Sequence, residues 1–193
     1  MAAFYLARKS VDGQNESFKE YKGENSNWSL WLTMKPQEVA ASLATDLPIG
    51  NVKRVEFIDI FGGIAVCFGE LKDGQKNGLG VCTYSNGDKY QGRYKNDELH
   101  GQGVYRWANG NVYEGAWEHD KKRGQGVFRY ADGGVYEGAY VDGKRHGRGV
   151  LRYADGNVYE GAWEHDKANG QGVLRYADGR VERGRISEDK FIE

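Results

Sequence analysis

Three sets of glycine residues recur along the 193-residue chain at a constant interval of 23 residues. The first set lies two residues after a tyrosine in most copies, and the second consists of Gly-x-Gly pairs. The third directly follows Asn or Asp and comprises Gly87, Gly110, Gly133, Gly156 and Gly179. Because the three sets of glycines share one period, they indicate a repeat protein. In such a protein each unit is a small structural element that packs mainly against its neighbours.

The residues within one repeat interval predict a β-hairpin. Residues 113–117 alternate between large and small or polar side chains with a period of two, as a strand does. The polar stretch 118–125 is expected to form a loop, and residues 126–130 a second strand. Asp132 and Gly133 then give a strong turn signal. The chain is therefore predicted to be a meander of hairpins.

The two faces of this hairpin differ in composition. One face collects Tyr, Trp, Gly and large apolar residues, and the other collects Glu, Ala, Val and Arg. Glu and Arg on adjacent strands can form cross-strand pairs worth a few tenths of a kcal/mol each. Because glycine weakens a strand unless another group approaches closely, we expect aromatic rings to lie over the strand glycines. The aromatic face is interpreted either as a packed structural face or, in part, as an open groove for a partner.

These residues resemble a known family. The order Tyr-x-Gly-x-Trp, loop, Gly-x-Gly, aromatic residue and Asp-Gly closely resembles the MORN (membrane occupation and recognition nexus) repeat, with the best copy at 136–149. Four good repeats fill 90–181, a degenerate first repeat lies near 67–89, and a half repeat occupies 182–193. Aspartate replaces a loop glycine at three positions, where we expect slightly different loop shapes: Asp97, Asp120 and Asp166.

The resemblance implies a mainly β fold, an elongated single-layer antiparallel array of hairpins over residues 51–193. Residues 1–50 lack the repeat and are predicted to form a small α+β cap on the array or, alternatively, a docking segment. A strand is expected at 28–32, a helix at 36–47, and a strand at 52–61 that leads into the first hairpin.

The resemblance also implies a function. Proteins of this kind act as non-catalytic scaffolds or adaptors in larger assemblies, here expected to be cytoskeletal or ciliary axonemal and similar to radial spokes. The alternative is a peripheral membrane module that binds phospholipid. We expect a partner helix or extended peptide to lie along the aromatic face, with Trp117 and Trp163 as the best anchors. The predicted groove consists of Tyr90, Tyr94, Trp107, Tyr113, Trp117, Tyr130, Tyr136, Tyr140, Tyr153, Tyr159, Trp163 and Tyr176.

Composition argues against other classes. The 27 basic and 28 acidic residues give a net charge of -1, without the basic excess that nucleic-acid binding needs. No apolar run is long enough for a transmembrane helix, and the N-terminal residues do not resemble a signal peptide. Cys67 and Cys82 are expected to be reduced packing residues in an intracellular, reducing compartment.

No chemistry is predicted. The Gly-x-Gly pairs lack the following helix and the lysine of a phosphate loop. His100 and His146 share one loop position, but two hairpins, or roughly 19 Å, separate them, so one metal ion cannot bind both. No catalytic residue, metal or cofactor is therefore predicted, and the chain is not expected to be an enzyme.

Overall fold

The computed structural model describes residues 4–8, 17–21, 52–60 and 62–192. All regular elements in this described part of the chain are β-strands. The predicted strand at 28–32 and helix at 36–47 lie outside the described residues. The strand expected at 52–61 is present but ends earlier, at Ile58.

The described residues form fifteen strands, and antiparallel pairing joins strands that are successive within each of two sheets. β1 and β2 form a separate hairpin that the sequence did not predict, and β3 to β15 follow chain order in one sheet. This confirms the predicted hairpin meander. The strands are β1 Phe4–Arg8, β2 Ser17–Tyr21, β3 Val52–Ile58, β4 Ile64–Lys72, β5 Gln75–Thr83, β6 Lys89–Lys95, β7 Glu98–Arg106, β8 Val112–Glu118, β9 Lys121–Arg129, β10 Val135–Val141, β11 Lys144–Arg152, β12 Val158–Glu164, β13 Lys167–Arg175, β14 Val181–Ser187 and β15 Lys190–Ile192.

The chain divides into two compact units. The first contains residues 1–86 and 90–97, and the second contains residues 87–89 and 98–193. In the first unit Cys67 on β4 lies directly opposite Cys82 on β5, with their Cα atoms 4.0 Å apart, and the two form a disulfide. The prediction that both cysteines are reduced is wrong, because direct cross-strand pairing brings the two sulfur atoms together. The cysteines therefore give no support to a reducing compartment.

In the second unit two kinds of tight turn alternate. The strands of one repeat are joined by only two residues, His119 and Asp120 in the first full hairpin, both with positive φ (49° and 61°). This is the turn type that matches the twist of paired strands. The expected loop over 118–125 is therefore wrong. Strand β9 resumes at Lys121, because a register shift absorbs the additional residues: Gly115 pairs with Gly126, but Ala116 pairs with Arg123.

The second kind of turn is the predicted Asp-Gly connection between repeats. The amide of Gly133 donates to the carbonyl of Tyr130 at 3.0 Å, and the amide of Tyr130 donates to the carbonyl of Gly134 at 2.9 Å. Gly133 has a φ of 98°, and the equivalent Gly110, Gly156 and Gly179 have values between 89° and 93°. Only glycine adopts this conformation without strain, which explains the period of this glycine set.

The core is built from tyrosine rings that lie over strand glycines. A Cβ atom on Gly115 would stand 2.5 Å from the hydroxyl of Tyr113 and 2.7 Å from the Cα of Gly126. On Gly126 it would stand 2.5 Å from the same ring. One ring thus covers a glycine on its own strand and a glycine on the next strand. This confirms the expected cover of strand glycines by aromatic rings.

The loop aspartates join one repeat to the preceding repeat. Asp120 accepts a hydrogen bond from the amide of Leu99 at 2.7 Å through Oδ1, and its own amide donates to the carbonyl of Leu99 at 3.3 Å. Asp166 makes the same pair of bonds with Arg145. Gly143 makes only the amide-to-carbonyl bond, to Lys122.

The expectation that these aspartate loops differ in shape is wrong. Asp120, Asp166 and Gly143 have φ values of 61°, 72° and 82°, within one left-handed region. The aspartate holds this conformation because its carboxylate bonds to the neighbouring repeat and compensates for backbone strain.

The ring-over-glycine packing predicts the effect of Gly115→Val. A branched side chain would occupy the space of the Tyr113 ring, so the free energy of unfolding should fall by about 1–3 kcal/mol, as in overpacked cores. Denaturant unfolding followed by circular dichroism measures this. The matched control is Ala116→Val, which changes the opposite face of the same strand and should have less effect. An unchanged unfolding midpoint for Gly115→Val would refute the packing account.

The link between repeats predicts different effects for two substitutions of Asp120. Asp120→Ala removes the acceptor of the Leu99 amide and a residue that tolerates positive φ, so it should lower the free energy of unfolding by about 1–2 kcal/mol. Asp120→Asn keeps an acceptor oxygen and the tolerance for this conformation, and should remain near wild type. Equal losses for the two variants in denaturant unfolding would contradict this assignment.

Candidate functional site

The first-strand aromatic residues of the predicted groove are buried within the chain itself. In the second unit Tyr113 and Tyr136 have no exposed surface, and Trp117 and Trp163 are 5% and 4% exposed. The remaining first-strand members are also buried: Tyr140 and Tyr159 in the second unit, and Tyr90 and Tyr94 in the first. The structure brings these rings together as the core of each unit, so a partner has little direct access to them.

Edge-to-face ring contacts connect successive repeats of the second unit. The ring centroid of Tyr113 lies 5.1 Å from that of Trp117 and 5.2 Å from that of Tyr140. Tyr136 continues the series with a T-shaped contact to Trp163 at 5.2 Å. Such contacts add about 0.5–1.5 kcal/mol per pair beyond the buried area. They therefore stabilise the array along its repeat direction.

The polar atoms of these buried rings bond to the backbone. The hydroxyl of Tyr113 donates to the carbonyl of Ala116 at 3.0 Å, next to the register shift. The indole Nε1 of Trp117 donates to the carbonyl of Gly103, and that of Trp163 to the carbonyl of Gly149, both at 3.3 Å. Burial raises the pKa of Tyr136 to about 12, and the nearby Arg145 opposes part of this rise. The hydroxyl therefore stays protonated and remains a donor near neutral pH.

Cationic side chains cover part of the aromatic face near the two-residue turns. The ammonium of Lys122 lies 4.9 Å from the ring centroids of both Phe128 and Tyr140, and burial lowers the pKa of this lysine. The guanidinium of Arg145 lies 4.1 Å from the ring of Trp163. Sequence reasoning missed these cation–π contacts, although Lys122 and Arg145 are 23 residues apart and occupy one repeat position.

The second-strand aromatic residues remain accessible. Trp107, Tyr130 and Tyr176 are half-buried, and Tyr153 is 44% exposed. Each directly follows the last residue of a second strand and makes the backbone hydrogen bonds of the turn between repeats. Trp107 contacts Phe128 with a centroid distance of 5.3 Å, and Phe128 contacts Tyr130 at 4.6 Å. We call Trp107, Tyr130, Tyr153 and Tyr176 the aromatic edge. These four residues of the predicted groove keep accessible ring surface.

An aspartate follows three residues of the aromatic edge at a distance of two positions: Asp132, Asp155 and Asp178. All three are exposed, and each accepts a backbone hydrogen bond within its own turn. Burial raises the pKa of Tyr130, and the negative charge of Asp132 adds to that rise. Sequence reasoning treated these aspartates only as turn residues, yet they place negative charge beside the exposed rings.

The opposite face of the second unit carries a shallow groove across β7 to β12, with a volume of about 680 Å³. Its lining includes the backbone of Gly115, Gly126 and Gly138, together with Val127 and Val150. Two of the expected Glu–Arg pairs are present on this face: Arg152 with Glu137 at 3.4 Å, and Arg175 with Glu160 at 3.2 Å. Both pairs are about half exposed, so each contributes little to stability.

The described residues hold no cluster suited to metal binding. Within residues 62–192 no group of three or more His, Cys, Asp and Glu side chains could hold a metal ion. His119 instead bonds to Glu98 at 2.7 Å, and the rings of His146 and His165 make an edge contact at 5.9 Å. In these contacts the histidines interact with neighbouring side chains at the repeat junctions.

Comparison with known proteins identifies the family. The model of the MORN repeat matches five consecutive segments, at residues 67–89, 90–112, 113–135, 136–158 and 159–179, which together exceed half of the chain. The chain therefore belongs to the MORN-repeat family. Proteins with this repeat are in general interaction scaffolds rather than enzymes. A search of curated proteins found no match.

Solved structures with similarity to the chain include two TCP domains. One is the TCP domain of SAS-4 (dCPAP) of Drosophila melanogaster in complex with a proline-rich motif of Ana2 (dSTIL), with 15% identity, a TM-score of 0.39, and coverage of 73% of this chain and 84% of that chain. The other is a mutant TCP10 domain of Danio rerio CPAP, with 12% identity, a TM-score of 0.28, and coverage of 93% and 82%. A streptogramin B lyase matches with a TM-score of 0.19 at 14% identity, covering 95% of this chain and 54% of that one.

A search for membrane-spanning helices gave none in the part of the chain that the structure describes.

The buried Tyr136 hydroxyl predicts a loss of stability at alkaline pH. Its pKa rises from 10.0 to about 12 in the folded chain, chiefly through burial. Its contribution to stability is therefore fully present below about pH 10 and is lost as the pH rises through about 12, because only the unfolded chain ionises easily in that interval. The lost contribution should be on the order of 2 kcal/mol.

The test compares wild type with Tyr136→Phe by denaturant unfolding at about pH 8 and about pH 12. At the lower pH the variant should be less stable, since it lacks the bond to the Ala139 carbonyl at 3.2 Å. At the higher pH the difference should shrink or reverse. A constant difference in unfolding free energy across this range would contradict the prediction.

Proposed function

We propose that this chain is a non-catalytic scaffold or adaptor that holds a helix or extended segment of a partner protein along the aromatic side of its repeat array. The proposal keeps the aromatic face as the binding face. Direct contact is assigned to the aromatic edge, while the buried rings hold the surface in shape. The resemblance to MORN-repeat proteins supports a place in a larger assembly, cytoskeletal or ciliary axonemal and similar to radial spokes.

One observation carries this proposal. The second unit repeats the same accessible aromatic position four times, although it buries the tyrosines and tryptophans of its first strands almost completely. Tyr and Trp supply large contact area at a small cost in side-chain entropy, so they are frequent anchors at interfaces. A row of such rings at one interval gives a partner several equivalent contacts, each of which adds to its affinity.

Residues 1–50 have a separate place in the proposal. A repeat array needs an atypical end that stops further pairing of strands, and this segment precedes the first repeat. We assign it the cap, with docking to the larger assembly as the alternative. Deletion of residues 1–50 separates the two roles, because loss of a cap promotes self-association of the array, whereas loss of a docking segment removes partners and leaves a monomer.

Site-specific photo-crosslinking tests the binding face. A photoreactive phenylalanine analogue at position 153 should capture the partner in native extract, whereas the same analogue at position 129, on the opposite face, should not. The double substitution Tyr130→Ala and Tyr153→Ala should abolish co-purification of that partner, and Arg129→Ala with Arg152→Ala should preserve it. Each variant is first checked for a wild-type unfolding midpoint. Partner loss only in the arginine variant would overturn the proposal.

The alternative function, phospholipid binding, is tested with the same variants. Sedimentation with vesicles of neutral and of acidic phospholipid should leave the wild-type protein in the supernatant. If the wild-type protein instead sediments with acidic vesicles and the arginine substitutions abolish this, the opposite face binds the membrane. That result would contradict the scaffold proposal.

A further inference from the structure

The spacing of the aromatic edge restricts the conformation of its ligand. Each edge residue stands two strands from the next, and strands in a sheet lie about 4.8 Å apart, so the rings recur about every 9.6 Å. A straight ligand that contacts every ring must present the same side at this interval. The distance that a ligand helix advances before it presents the same side again can therefore be compared with the spacing of the rings.

A polyproline II helix meets this requirement and an α-helix does not. Polyproline II has three residues per turn and a rise of 3.1 Å per residue, so one turn advances about 9.3 Å. An α-helix advances 9.6 Å in about 6.4 residues, which rotate by about 640°, or 80° short of two turns. The side of an α-helix that contacts the first ring would therefore rotate away from the row after one or two rings. The same side of a polyproline II helix would contact all four rings.

The hydrogen-bonding groups of the edge also suit this ligand. The hydroxyls of Tyr130 and Tyr153 and the indole Nε1 of Trp107 have no hydrogen-bond partner within the described residues. A polyproline II segment has no internal hydrogen bonds, so its carbonyl groups are free to accept. Flat aromatic surface between such donors is the arrangement on which proline-rich segments dock.

Charge complementarity adds a second requirement. Asp132 and Asp155 are exposed beside the edge, and neither carboxylate has a cationic partner within the described residues. Asp178 pairs with Arg180 at 2.7 Å. Arg145 also acts on the nearby tyrosines, but its own charge is paired with Asp166 at 3.3 Å. Asp132 and Asp155 therefore offer two carboxylates without a cationic partner beside the edge, which favours a ligand with Lys or Arg.

We propose that the aromatic edge, Trp107, Tyr130, Tyr153 and Tyr176, binds a proline-rich segment that contains Lys or Arg, in the polyproline II conformation, with one turn for each repeat. The inference rests on the proposed scaffold function and specifies its partner. Pyrrolidine rings pack between neighbouring aromatic rings, and the basic side chains lie next to Asp132 and Asp155. The hydroxyls of Tyr130 and Tyr153 and the indole of Trp107 donate to ligand carbonyls.

Binding of synthetic peptides tests the ligand chemistry. The probe is a twelve-residue peptide with proline at every third position and two arginines, titrated against the full chain by isothermal calorimetry. Two matched peptides serve as controls: alanine replaces proline in the first, which favours an α-helix, and glutamate replaces arginine in the second. The proline–arginine peptide should bind at least about tenfold more tightly than either control, since each loses a whole class of contacts. Equal binding of a control and the probe would overturn the proposal.

Variants of the protein test the site. Tyr130→Ala with Tyr153→Ala should weaken binding of the probe by at least about tenfold. Asp132→Asn with Asp155→Asn keeps the turn hydrogen bonds, and should weaken binding by about three- to tenfold while reducing its dependence on salt. Arg129→Ala with Arg152→Ala is the control on the opposite face and should bind as wild type. Undiminished binding by both edge variants, with wild-type unfolding midpoints, would place the peptide elsewhere and refute the site.

The photo-crosslink at position 153 separates failure of this inference from failure of the proposed function. Mass spectrometry of the captured peptide should show a proline-rich sequence with basic residues. A captured partner peptide without proline would overturn the inference and leave the scaffold function intact. Capture of no partner at position 153, together with capture at position 129, would overturn both.

Discussion

The packing of a tyrosine ring over two glycines is the interaction on which the repeat depends. Tyr113 lies across Gly115 on its own strand and Gly126 on the next, at distances that leave no room for a Cβ atom on either. The hydroxyl then donates to the carbonyl of Ala116, next to the position where the strand register shifts. A phenylalanine would fill the same space but would leave that carbonyl without its donor. The ring and both glycines therefore belong together, and the chain repeats all three.

This arrangement produces a core that is a row of rings. Tyr113 contacts Trp117 in its own repeat and Tyr140 in the next, and Tyr136 does the same with Tyr140 and Trp163. The aspartate turns add hydrogen bonds between the same neighbours, such as Asp120 to Leu99. Stability is therefore distributed over interfaces between successive repeats. At Gly143 the carboxylate bond is absent, and that interface keeps the amide-to-carbonyl bond and the contact of Lys122 with the Tyr140 ring.

Much of this fold could be predicted from the sequence, because the information is local. The period, the two faces of each hairpin and the Asp-Gly turns depend on residues only a few positions apart. The two-residue turns were missed because His119 has positive φ without being glycine, a conformation that propensity does not suggest. The disulfide was missed because paired positions on a sheet do not reveal whether two sulfur atoms are bonded. Accessibility within the predicted groove was also beyond local reasoning. Trp117 and Tyr153 are both aromatic residues of the same face, but contacts with adjacent repeats decide that one is buried and the other exposed.

The differences between repeats follow from the same constraint. At the tyrosine and glycine positions of the core a change disrupts the ring packing, and there the full repeats are identical: Tyr113, Tyr136 and Tyr159 recur without variation. The accessible aromatic edge is not restricted in this way, and its residues and those of the adjoining turns differ between repeats. Trp107 occupies the position at which the other full repeats have tyrosine. Asn109 occupies the repeat position at which the following repeats have Asp132 and Asp155. A ligand with a uniform period would fit the array equally well when shifted by one repeat. These differences make the binding positions along the aromatic edge unequal. The residues that core packing does not restrict can therefore select one register of the bound segment.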